Sequence, residues 1–186
     1  MRMASILSGD KEMQNSFVDS DPYTKMAADV GVDRKECKIT LMKAINSMDY
    51  NDPALDYYPT MKEWMKKCSD NFETNQYLES ILGRKFKMEE GRSKLSAFNA
   101  CMQGSVAHAM QNTIYKVVNE FPQHAICEIQ DSIVLACDKS MVNHIVSKVG
   151  ETMYRPLDML DSNPTFPVKV SIGLKWRQWK KMKEIR

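Results

Sequence analysis

The sequence is short of the two residues that punctuate β-rich and low-complexity chains, with seven glycines and seven prolines among 186 residues. That scarcity argues against a chain of many tight turns and against compositional bias, and no internal repeat is visible. Cysteine is sparse as well. Cys37, Cys68, Cys101, Cys127 and Cys137 are odd in number, scattered, and form no C-x-x-C, so neither a disulfide framework nor a zinc site is expected and the thiols read as reduced. His108, His124 and His144 lie far apart without H-x-x-x-H spacing, which argues against a sequence-local metal site. No run of 18 apolar residues exists, and Met1–Asp10 turns polar too early for a signal peptide. A soluble cytoplasmic protein with no membrane partner is expected. Charge of one sign is missing too. Lys+Arg 26 against Asp+Glu 24 leaves +2, which excludes a polybasic binder but permits a local basic face.

What the chain has is 43% hydrophobic residues and 15 methionines, several of them where Leu or Phe is the usual filler. This is enough for one large domain or two small ones. The first half reads as helices. Ser8-Gly9-Asp10 is a turn and a helix start, with Met13 and Phe17 following at helical spacing. Asp21-Pro22 opens a helix that Gly31 ends, and Asp33 caps another carrying Cys37, Leu41, Ala44, Ile45 and Met48. Pro59 leads a helix with Met61, Trp64, Met65 and Cys68, and the polar stretch Ser69–Thr74 reads as a loop. The second half differs. A long helix is predicted from about Glu90 to Asn119, with Leu95, Phe98, Met102, Val106, Met110, Ile114 and Val117 on one stripe interrupted only by Gly104. Phe121-Pro122 stops it. Ala125–Ile129 and Ile133–Cys137 flank Gln130-Asp131-Ser132 as a β-hairpin whose second strand is apolar enough for burial on both faces. Asp138 and Ser140 can cap a further helix, and Val168–Ile172 alternates as a closing strand.

Gln130-Asp131-Ser132 is the segment with chemical content. A carboxylate at a hairpin apex is held at a sheet edge, within reach of a metal ion. Mg²⁺ takes hard oxygen ligands, commonly one or two carboxylates plus substrate phosphates. Two-metal phosphoryl transfer needs carboxylates from different strands converging on ions about 4 Å apart. The plainer reading is a turn, in which Asp and Ser are common residues.

The context around the hairpin resembles the palm region of family A DNA polymerases. Gly83-Arg84-Lys85 resembles the family's G-R-R turn, and Asn99 to Ala107 resembles its N-x-x-x-Q-G-[ST]-A-A-D helix. The hairpin resembles the strand-turn-strand with H-D-E, and Ser171–Trp176 the closing strand and its tryptophan. Met1–Asp10 resembles the L-R-x-x-A-x-L-S-G-D run that follows the family's first catalytic carboxylate motif, and Phe17, Asp21-Pro22-Tyr23 and Thr24–Ala28 continue it. The likeness touches nearly the whole chain and is strongest from Gly83 to Cys137.

The resemblance implies an α+β fold, with a palm-like antiparallel sheet (hairpin 125–137 plus strand 167–173) packed on long helices. It implies connecting helices over 1–32, a reduced helical fingers region over 33–82 and the C-terminal part of a palm over 83–186. Asp131 would be a metal ligand and, with Gln130 and Ser132, the catalytic triplet, Gln130 standing for the family's His at the primer end. Asn99 and Gln103, four apart on one helix face, would meet the minor groove of a primer–template. Arg84 and Lys85 would touch the template backbone. Arg34 and Lys38, at the same spacing, would cradle a triphosphate, with a solvated basic face as the plain alternative. The tail Lys175–Lys183 interleaves cations with Trp176 and Trp179, which suits a phosphate backbone, packing on the palm, or a partner subunit.

Departures from the pattern set the remaining expectations. The sequence starts just downstream of where the family's D-Y-S-Q-I-E-type strand would end, so its first metal-binding Asp is expected to be missing from this polypeptide, and the triplet lacks the family's His and outer acid. The family's Arg four residues before the conserved Asn falls on Leu95, and the fingers helix maps to Arg34, Lys38, Met42 and Asn46 without its aromatics and glycines. One carboxylate cannot run a two-metal reaction. The expectation is therefore one part of a split DNA polymerase, inactive alone. It would use Mg²⁺, DNA primer–template and dNTP, with a second polypeptide supplying the upstream palm strand, the thumb and any exonuclease. A non-catalytic polymerase remnant that binds nucleic acid or protein, and a relative of single-subunit RNA polymerases, remain the alternatives.

Overall fold

Aspartate and proline start most of the helices in the first half. Asp21 caps α3 (Pro22–Val30) by accepting from Tyr23 N and Thr24 N, with Pro22 in the first turn and Gly31 at φ 75° closing the C-terminus. Asp33 does the same for α4 (Arg34–Asn46) through Lys35 N and Glu36 N. Asp52 caps a short 3-10 turn (Pro53–Tyr57) through Ala54 N. Before these come α1 (Arg2–Ser8) and α2 (Lys11–Asp19), separated by Gly9 at φ 71°. After them comes α5 (Pro59–Asn75).

The structure is a computed structural model of the chain, and it describes all residues except 20, 88–92, 161–164, 175–178 and 186. Two compact units divide it, Met1–Val106 and Ala107–Arg186. In the first, α1 to α5 enclose a core rich in methionine. Met13, Met61 and Met65 are fully buried beside Leu41, Leu55, Tyr58 and Phe98. The flexible thioether lets Met fill the irregular gaps where short helices meet. Tyr58 is fully buried, and its hydroxyl donates to Pro22 O at 3.0 Å, so burial pushes its pKa up to about 12. Burial likewise raises the thiols of Cys68 to about 12 and Cys101 to about 11, keeping them protonated.

The polar stretch Ser69–Thr74 is not a loop but the last turns of α5. The apolar stripe Met61, Met65 continues through Ser69 and Phe72, which are 1% and 3% exposed. Lys94 Nζ satisfies the buried Ser69 hydroxyl at 2.6 Å. A hairpin of β1 (Tyr77–Glu79) and β2 (Lys85–Lys87) follows. Gly83 takes φ 79° in its turn, where an L side chain would be strained.

The long helix α6 runs Lys94–Glu120. Of the predicted stripe, Phe98, Met110 and Val117 are buried while Leu95 and Val106 are exposed, and the buried side widens to take in Ala97, Cys101, Ser105, Ala109 and Thr113. These small residues let neighbours approach closely, and Ser105 and Thr113 satisfy their hydroxyls on the carbonyls of Cys101 and Ala109 one turn back. Ser105 Oγ also accepts from Ile81 N at 2.9 Å. At Gly104 a Cβ would lie 2.3 Å from Cζ of the Phe86 ring on β2, so a larger residue there would have to move that ring.

In the second unit, β3 (Ala125–Ile129) and β4 (Ser132–Leu135) form the expected antiparallel hairpin. Only Val134 of β4 is buried, so the second strand is not covered on both faces. Helix α7 (Val142–Tyr154) places Ile145 and Val149 against Val117 and Phe121, and no Asp138 or Ser140 cap bond starts it. Strand β5 (Val168–Gly173) pairs with β6 (Trp179–Ile185), so part of the tail is a strand. Among the described residues, hairpin and closing strand belong to separate two-stranded antiparallel sheets. The architecture is α+β, with small antiparallel sheets on helices. No described helix is long and apolar enough to cross a membrane.

Candidate functional site

The apex of the β3–β4 hairpin is a two-residue loop, Gln130-Asp131, closed by the Ile129–Ser132 pair. Such loops follow the strand twist when the first loop residue has positive φ, a place that suits glycine. Gln130 occupies it at φ 55°, a left-handed conformation costing an L residue about 1–2 kcal/mol. Ser132 Oγ donates to Ile129 O at 2.8 Å and tightens the turn. Asp131 is exposed beyond this brace, and no hydrogen bond or ion pair engages its carboxylate among the described residues. A bulge between Ala125 and Cys127 bends β3. Beside it lies a cleft of about 140 Å³ between Ile114, Val117 and Val118 of α6 and Ala125–Glu128 and Ile133 of the hairpin.

The other expected contacts belong to the first unit. Asn99 and Gln103 lie one turn apart on α6. Gln103 is exposed, whereas Asn99 Nδ2 donates to Asn46 O at 3.0 Å and so satisfies the last carbonyl of α4. Arg84 and Lys85 enter β2 side by side. The Arg84 guanidinium lies 5.2 Å from the Phe86 ring centre, and Lys85 Nζ lies 4.5 Å from that of Tyr77 and 3.8 Å from Glu79 Oε1.

Arg34 and Lys38 share one side of α4, both exposed. Lys38 makes no ion pair among the described residues. Arg34 is held by Asp21 Oδ2 through Nη2 at 2.6 Å and Nε at 3.1 Å. Partial burial pushes the Asp21 carboxyl up, but hydrogen bonds from Arg34 and Thr24 outweigh it and hold the pKa below the usual range. Sequence reasoning missed this partner, although an Asp that caps one helix just ahead of an Arg that opens the next was a readable signal. Of the tail, Trp176 and Arg177 lie outside the described residues.

The described residues contain no group of three or more His, Cys, Asp or Glu able to hold a metal ion. Asp131 supplies one hard, solvent-open carboxylate. That fits Mg²⁺ as a single protein ligand and falls short of a two-metal cage.

The fold is of the polymerase-domain type. The POL domain of Pol1 from M. smegmatis, solved in complex with DNA primer-template and dNTP, is similar in fold at a TM-score of 0.71 and 15% identity. The match covers 83% of this chain and 35% of that one, so the chain spans about a third of the solved domain. Residues 35–180 match the model of DNA polymerase family A, and the chain belongs to that family. No curated protein matches the sequence.

Proposed function

We propose that these residues are the part of a family A DNA polymerase that carries the second metal-binding carboxylate, together with primer–template and triphosphate contacts. In this reading, residues 1–32 connect palm to fingers, 33–82 form reduced fingers and 83–186 the C-terminal part of the palm. The first carboxylate comes from polypeptide outside these 186 residues, on the same or a second chain. The observation that carries the reading is Asp131. It is a bare carboxylate at a strained hairpin apex, in a chain whose family assignment spans 35–180.

The reaction is template-directed nucleotidyl transfer. The primer 3′-hydroxyl attacks the α-phosphorus of a dNTP, a phosphodiester forms, and pyrophosphate leaves with the electron pair of the broken P–O bond. Arg34 and Lys38 hold the triphosphate by charge, Arg34 through its planar fork. Asn99 and Gln103 present amides to minor-groove acceptors, which serve any base pair because that groove's pattern is degenerate. Arg84 and Lys85 neutralise template phosphates and add a salt-dependent term. Gln130 offers a neutral hydrogen bond at the primer end, and Ser132 fixes the turn that aims Asp131. Mg²⁺ held at Asp131 and the substrate phosphates would offset developing charge and favour the 3′-alkoxide.

A second reading, a DNA-binding protein of polymerase descent without chemistry, draws on the engagement of Ser132 and Asn99 with backbone carbonyls. Primer extension separates the two. These residues alone, on a primed template with Mg²⁺, incorporate no nucleotide. Supplied with the upstream polymerase segment they do, and Asp131→Asn then lowers kcat by at least about a hundredfold with template affinity retained. Full activity of that variant refutes the metal assignment, and incorporation by these residues alone refutes the two-carboxylate argument. Template binding without incorporation in the supplemented enzyme establishes the second reading.

A further inference from the structure

Asp21 divides its two carboxylate oxygens between two tasks. Oδ1 accepts from Tyr23 N and Thr24 N, both at 3.0 Å, and caps α3. Oδ2 takes the Nε/Nη2 edge of Arg34, whose Nε also reaches Thr24 Oγ1 at 3.1 Å. The guanidinium carbon lies 5.8 Å from the Tyr23 ring centre. The first amino acid of α4 is thus tied back to the cap of α3.

From this geometry we infer that Asp21 is a competitor held on Arg34, which an incoming polyphosphate displaces, so that Asp21 sets the affinity of the α4 cations for triphosphate. The inference rests on the triphosphate reading of Arg34 and Lys38. A phosphate takes the guanidinium through the same paired N–H edge that a carboxylate takes, so the two cannot share it. The pair is open to exchange, with side chains 51% and 27% exposed. Lys38, one turn on, is unpaired among the described residues and available for first encounter. The acids on the same stretch act differently. Asp33 is committed to capping α4, and Glu36 donates its backbone N–H to that cap. An exposed ion pair of this kind shifts a competing equilibrium by about two- to fivefold.

The two tasks of Asp21 are separable, because Asn caps a helix about as well as Asp but carries no charge. The test is calorimetric titration of the full chain with inorganic tripolyphosphate, and in parallel with dATP, at one fixed salt concentration. Asp21→Asn is expected to bind about two- to fivefold tighter with its melting temperature retained, and Asp21→Ser, another capping residue, to repeat the gain. Arg34→Gln binds more weakly, and the Asp21→Asn/Arg34→Gln double variant matches it, losing the gain. A purely structural Asp21 would leave affinity unchanged or lower. If Arg34→Gln weakens binding but neither Asp21 variant tightens it, the competitor role is wrong and the triphosphate reading stands. If Arg34→Gln and Lys38→Gln bind as tightly as the natural sequence, that reading falls and takes the inference with it.

Discussion

Replacing Asp10 with alanine removes one side chain from two helix ends at once. Asp10 is 2% exposed. Its Oδ1 accepts from Met13 N at 2.8 Å, three residues into α2, and its Oδ2 accepts from Met61 N at 3.1 Å, in the first turn of α5. Tyr58, which precedes α5, makes no side-chain cap bond of its own. Asp10 therefore supplies that cap from 51 residues away, and its negative charge faces two helix N-termini. A lost cap costs about 1 kcal/mol, and a buried donor left without a partner costs about 1–3 kcal/mol. Two such ends give about 2–6 kcal/mol for Asp10→Ala, a large share of the roughly 5–15 kcal/mol that holds a typical domain. Asp10→Asn keeps one oxygen but turns an NH₂ toward the other backbone N–H, so it should cost about half as much. Urea unfolding followed by circular dichroism measures both, at unchanged m-value. Hydrogen exchange at the Met13 and Met61 amides reports the two ends separately. The reasoning fails if Asp10→Ala costs less than about 1 kcal/mol, or if Asp10→Asn is as stable as the natural sequence.

Gly104→Ala gains about 1 kcal/mol of helix propensity but drives a methyl to 2.3 Å from Phe86 Cζ. Overpacking of this kind costs about 1–3 kcal/mol, so a net loss of up to about 2 kcal/mol is expected, recovered when Phe86→Leu is added. Equal instability with and without that second change in urea melts would refute the contact. Gln130→Gly removes the left-handed penalty at the hairpin apex and adds some chain entropy, leaving a gain of about 0.5–1 kcal/mol in thermal melts. A loss of stability would mean that the Gln130 side chain holds the turn.

Helix starts were legible at Asp21-Pro22, Asp33 and Pro59, where a capping residue or a proline met a periodic stripe. The family resemblance from Gly83 to Trp176 was legible for a different reason, since four fragments stood in order at fixed distances. What stayed hidden depended on partners far away in sequence. Ser69 looked like loop chemistry because its buried hydroxyl is satisfied by Lys94 from another helix. The stripe on α6 was legible at Phe98, Met110 and Val117, but the buried side also takes in the small residues Ala97, Cys101, Ser105 and Thr113, which hydrophobic periodicity does not flag. The second task of Asp10 could not be read from Ser8-Gly9-Asp10 at all, because half of it belongs to Met61.

The candidate residues divide by what they already hold. Asn99 secures the end of α4, Arg34 is secured by Asp21, and Ser132 closes a turn. A sequence motif cannot distinguish such bonds from ligand contacts, because the same donors serve both. Asp131, Gln103 and Lys38 are exposed, and no described hydrogen bond or ion pair engages their side chains. At Gln130 the fold bears a backbone cost that glycine would relieve. The Gln130→Gly and Asp131→Asn variants therefore probe one apex, the first through its backbone cost and the second through its charge.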